Sequence, residues 1–184
     1  MELSRVETLP TLTELFGHNK HVLSAVQKHF DTPAPLLAHD RQMLTHVPGI
    51  KMPRARAIED ALKRHGLRLR DSSESTSKYI ERLFGCIEDA PIDVLQLYSL
   101  QANGVSHTYY IPLAVIRQLR QYEPNMAVVD LLSMRQSGVW DILMTHFAYD
   151  AEHLRPRISE LNTRLRPWGL SLATPSEKRH LRAV

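Results

Sequence analysis

A single cysteine, Cys86, stands in 184 residues. No internal disulfide framework and no cysteine-rich zinc site can form from it, and a reducing, cytoplasmic setting is expected. No run of about 18 apolar residues occurs, so no membrane-spanning helix is expected. The first ten residues, MELSRVETLP, are polar and lack an apolar signal core. The sequence also lacks a G-x-x-x-x-G-K-[ST] phosphate loop and a G-x-S-x-G nucleophile turn.

Ten histidines are present, but they are scattered. His18 and His21 fit one helix face without an acidic or cysteine partner at ligand spacing, and His146 and His153 flank a loop. Glu88, Asp89 and Asp93 form an acidic cluster without the lysine motif of a two-metal nuclease, and read as helix-terminus charges. The expectation is a protein without catalysis, metal or cofactor.

Charge is unevenly distributed. The net charge is only +3. Residues 41–70, however, hold eight Lys+Arg against two Asp+Glu, a net of +6. Residues 71–100 hold two against six, a net of −4, and residues 151–184 hold seven against three, a net of +4. Basic clusters suit a phosphate-binding surface, where counterion release supplies affinity. Four neutralised phosphates would give a slope of about −3.6 in log affinity against log salt.

The stretch LTHVPGIKMPRARAIEDALKRHGLRL, from Leu44 to Leu69, organises the rest. A first helix capped by Asp40 ends near Val47, and Pro48-Gly49 turns the chain, with glycine supplying positive φ. A second helix is predicted from about Pro53 to Arg64, with Ala55, Ile58 and Leu62 as its buried stripe and Gly66 as its stop. Leu44, Val47, Pro48, Gly49, Ile50, Ala55 and Ile58 resemble the helix-hairpin-helix pattern. Lys51 departs from it, standing where the family usually has a second glycine. More broadly, Asn19 to Leu69 resembles the C-terminal domain of the bacterial RNA polymerase α subunit. The likeness rests on a leading helix, the Leu36-Leu37 turn, the hairpin, and the ending Ala61-Leu62 through Gly66-Leu67-Arg68-Leu69. It implies backbone binding through Gly49, Ile50, Lys51, Arg54 and Arg56.

Beyond the polar run Asp71–Ser77, where a domain boundary is placed, helices are predicted over Lys78–Ile87, Pro91–Gln101 and Pro112–Tyr122. Gly104–Tyr110 reads as a loop or short strand. The apolar faces of this middle section suit a connection or a homodimer contact. Further on come an apolar stretch (Val128–Met134), a helix over Ser137–Phe147, a short helix capped by Asp150, and a third helix opened by Pro156. Ile158, Leu161 and Leu165 are its inner stripe, and Leu170-Ser171-Leu172 alternates like a strand. This order resembles the winged helix-turn-helix of bacterial transcription regulators, which implies that Arg155, Arg157, Asn162, Thr163 and Arg164 face DNA.

The fold expected is mainly α. It comprises a helix-hairpin-helix domain (1–75), a helical connecting or dimerisation region (76–125) and a winged helix-turn-helix with a short β wing (126–184). The expected function is double-stranded DNA binding in transcription control. Two alternatives stay open: a non-catalytic repair or recombination accessory that binds by shape, and a module that binds RNA polymerase.

Overall fold

A computed structural model of the chain describes residues 9–102 and 105–172. The protein is mainly helical. Contacts divide it into two compact units. The first comprises Met1–Leu83 with Ser99–Tyr110, and the second Phe84–Tyr98 with Ile111–Val184.

In the first unit α1 (Leu12–Phe16), α2 (Lys20–Gln27), α3 (Pro33–Leu37), α4 (Arg41–Leu44) and α5 (Met52–Arg64) lead to α6 (Thr76–Phe84), whose last residue lies in the second unit. A capping box starts α1, because the Thr11 N–H donates to Glu14 and the Glu14 N–H to the Thr11 hydroxyl. The Asn19 side chain caps α2, and Asp40 caps α4 by accepting from the Met43 N–H at 2.8 Å. Leu15, Phe16, Val26, Leu36, Leu37, Leu44, Ile50, Ile58 and Leu62 are fully buried, so the core is built under the hairpin.

Of the two readings the polar run Asp71–Ser77 allows, a linker or a capped helix entry, the second holds: the Ser75 hydroxyl accepts from the Lys78 N–H at 3.3 Å at the start of α6. Arg70 is buried, and its Nε donates to the Ala38 carbonyl at 2.8 Å, while Nη1 donates to the carbonyl of Glu74 at 2.5 Å. Its Nη2 also lies 3.5 Å from Asp40. Glu74 in turn accepts from Arg82 at 2.8 Å. The Tyr79 hydroxyl donates to the Ala34 carbonyl, and buried Thr76 shares a 2.7 Å hydrogen bond with Thr108. α6 as far as Leu83, and Ser99–Tyr110 of the hairpin formed by β1 (Leu97–Ala102) and β2 (Val105–Tyr110), belong to the first unit. The cuts expected near 75 and 125 therefore differ from the division the contacts make.

The helix expected over Pro91–Gln101 is instead a short 3-10 turn (Ile92–Gln96) running into β1. Gly104 separates LYSLQA from VSHTYY, and pairing with the second run, whose Val, Thr and Tyr favour strands, overrides a helical reading of the first. Gln96 holds the foot of the hairpin: its carbonyl accepts from the Ile111 N–H and its side-chain carbonyl from the Leu113 N–H.

The second unit packs the 3-10 turn with α7 (Ala114–Tyr122), α8 (Val128–Phe147) and α9 (Ala151–Leu165). Arg120 on α7 pairs with buried Asp93 at 2.7 Å. Asp93 is thus the helix-end charge expected, in the first turn of the 3-10 helix, and it is buried on Arg120. α8 kinks at Arg135, between the apolar stretch and the helix that the sequence separates there. α9 is one helix, although two were expected, because Pro156 is its sixth residue and removes a single backbone bond. Leu170–Leu172 is not a strand, and Thr174–His180, which stands where the winged-helix type has a glycine-rich hairpin, lies outside the described residues.

Candidate nucleic-acid interface

The hairpin turn lies between α4 and α5. Leu44 and Ile50 are fully buried on either side of it and anchor it to the core. The Ile50 N–H donates to the Val47 carbonyl at 3.0 Å, closing the turn. Gly49 has φ +81°, a conformation a side chain would strain. Lys51 precedes α5 as its N-cap residue without a side-chain cap, and Pro53 is the second residue of the helix. Its early N–H groups are therefore available to an anion.

Around this turn Gly49, Lys51, Arg54 and Arg56 are exposed, whereas Ile50 is interior and serves packing. Arg54 donates from Nη1 to the Gly49 carbonyl. Among the described residues, Lys51 and Arg56 have no ion-pair or hydrogen-bond partner for their side chains.

No protein-family model, curated protein or solved structure matches this chain. The reading of the interface rests on its own residues.

The second expected set lies on α9, in the other unit. Arg155 is exposed. Arg157 is half-buried, with its guanidinium 4.8 Å from the centre of the Tyr149 ring. Asn162 accepts the Leu172 N–H at 2.8 Å through its side-chain oxygen, and Gln136 donates to the Leu172 carbonyl at 3.3 Å. The Thr163 hydroxyl donates to the Ser159 carbonyl one turn back. Arg164 is half-buried. The Asn162 side-chain oxygen and the Thr163 hydroxyl proton are thus used inside the chain, the first on the segment after α9 and the second on the helix itself. Among the described residues no helix is long and apolar enough to cross a membrane.

Two residues of the first unit were not singled out from sequence. His29 places Nε2 2.8 Å from the Pro48 carbonyl, and buried Arg70 ties the segment before α4 to Glu74. A histidine between Lys28 and Phe30 has no spacing signal, and Arg70 reads as one more member of a basic run.

Proposed function

We propose that the chain binds the sugar-phosphate backbone of double-stranded DNA through the hairpin and the start of α5, without catalysis. The observation that carries this reading is Lys51 and Arg56 exposed and unpaired beside a turn fixed by Gly49 at φ +81°. A neutral turn at an uncapped helix start offers N–H groups, and the two cations add the charge that phosphates attract. Such contacts position a protein on the duplex and read no sequence. The reading therefore favours binding by shape or backbone, as an accessory in repair, recombination or transcription. Base reading by α9 draws less support, because the Asn162 side-chain oxygen and the Thr163 hydroxyl proton are engaged internally.

Selection of bound duplexes from a random pool tests this, together with titrations of Lys51→Ala and Arg56→Ala. No shared motif is expected, and both variants should weaken every duplex alike. A strong shared motif would restore the sequence-specific regulator. Undiminished binding by both variants would remove the hairpin from the interface. Undiminished polymerase binding by both, without DNA binding by the native chain, would favour the polymerase-interacting module.

A further inference from the structure

Two side chains close on consecutive carbonyls of the hairpin turn. His29, just beyond α2, reaches the Pro48 carbonyl with Nε2 at 2.8 Å. A carbonyl only accepts, so the ring nitrogen facing it carries the proton. Arg54, in the first turn of α5, donates from Nη1 to the next carbonyl, that of Gly49.

A peptide unit is planar and, among the described residues, trans throughout. The N–H of Gly49 therefore points opposite to the Pro48 carbonyl. With that carbonyl held on His29, the Gly49 amide is aimed away from α2, and no backbone acceptor among the described residues takes it. The next unit is fixed at both ends. Arg54 holds its carbonyl, and its N–H, that of Ile50, is bound to the Val47 carbonyl. A free carbonyl near a phosphate would repel it, and both carbonyls are neutralised by donors.

We infer that His29 and Arg54 are positioning residues for the backbone-binding turn. They hold the Pro48 and Gly49 carbonyls so that the Gly49 amide meets a phosphodiester, and neither touches the phosphate. This rests on the function proposed above, and it removes Arg54 from the phosphate contacts expected of it from sequence.

The test titrates the full chain on a short fluorescent duplex of random sequence at several salt concentrations. The variants are His29→Ala, His29→Gln, His29→Leu, Arg54→Ala and Lys51→Ala, with thermal unfolding measured in parallel. His29→Ala and Arg54→Ala should each weaken binding about two- to tenfold, the worth of one ordinary hydrogen bond, with the salt slope unchanged. His29→Gln, which keeps a donor of similar reach, should recover the native affinity. His29→Leu, similar in bulk but without a donor, should not. Lys51→Ala should lower the slope by about 0.9. If His29→Ala fails to fold, the Gln and Leu variants decide, and equal affinity in that pair overturns the inference. A slope reduced by about 0.9 in Arg54→Ala or a His29 variant would make that residue a direct phosphate contact and overturn its positioning role. Native affinity in every His29 and Arg54 variant, with Lys51→Ala weakened, overturns positioning and leaves backbone binding standing. No binding by the native chain overturns both.

Discussion

Arg135 holds φ +63° and ψ −175°, a conformation that L side chains rarely adopt. It breaks α8 so that Val128 and Leu131 before the kink, and Val139 and Leu143 after it, are all buried. Such strain in a non-glycine residue costs about 1–3 kcal/mol, against about 0.5–1 kcal/mol for the freedom glycine loses on folding. Arg135→Gly should therefore raise stability by about 1 kcal/mol in urea unfolding of the full chain. A lower midpoint would mean that the Arg135 side chain contributes more than its backbone costs. His39 makes a second residue-scale case. It is 5 % exposed, its Nδ1 donates to the Pro35 carbonyl at 2.8 Å, and Phe30 meets the ring edge-on at 5.2 Å. Burial pushes its pKa down, the Pro35 hydrogen bond opposes this, and the Arg70 charge adds to the lowering. Below its ordinary value of 6.5 the unfolded chain takes up a proton that the folded chain resists. The contribution is thus complete above that value and is lost as pH falls through it toward the folded pKa. The gap in urea midpoint between about pH 7.5 and about pH 5.5 should shrink in His39→Asn, which keeps a donor and removes the titration. An unchanged gap would assign the acid sensitivity elsewhere.

At the scale of elements, α5 was legible almost residue by residue. A positive-φ glycine, a proline in the first turn, an apolar stripe at helical spacing and a closing glycine agree over Gly49–Gly66, and local and tertiary preferences coincide there. β1 was not legible, because an apolar run of strand length also fits a short helix until Gly104 and the run after it are recognised as its partner. The polar run Asp71–Ser77 reads equally as a linker or a capped helix entry, and the choice needs Arg70 buried against it and Ser75 accepting from the Lys78 N–H. The candidate site divides in the same way. The hairpin follows from short-range chemistry, whereas His29 bonds across 19 residues. α9 shows the limit of face assignment: Asn162 lies on a polar stripe, yet its partner, Leu172, arrives only after the helix ends. Leu172 is 2 % exposed, so its backbone would be buried unpaired without Asn162 and Gln136. Asn162→Ala should cost about 1–3 kcal/mol of stability, the penalty for a buried donor left unsatisfied, and leave binding to all duplexes equal to native. Calorimetric unfolding and duplex titration check this together. A loss confined to one preferred duplex, at native stability, would return Asn162 to base reading.

At the scale of the molecule, formal charge overstates the surface that a duplex meets. Of the eight cations in residues 41–70, Arg41 pairs with Glu59 at 2.6 Å, Lys63 lies 3.8 Å from Asp60 and Arg68 lies 3.5 Å from Glu74. Arg70 is buried on Asp40, Arg64 donates to His18 at 3.1 Å, and Arg54 is turned to Gly49. Exposed surface pairs of this kind contribute little to stability, but they cancel field locally and must be broken before the cation serves a phosphate. Lys51 and Arg56 remain, fewer than the four neutralised phosphates supposed from the sequence. Two neutralised phosphates give a slope of about −1.8, so a fourfold rise in salt should weaken binding about twelvefold, whereas four contacts would weaken it about 150-fold. Double substitution of Lys51 and Arg56 by alanine should flatten most of that dependence. The measurement is an equilibrium titration of the full chain on random duplex across the salt range. A native slope near −3.6 would mean that the paired arginines open onto DNA, or that basic residues outside the hairpin share the contact. A slope near zero would take the hairpin's cations out of the interface altogether.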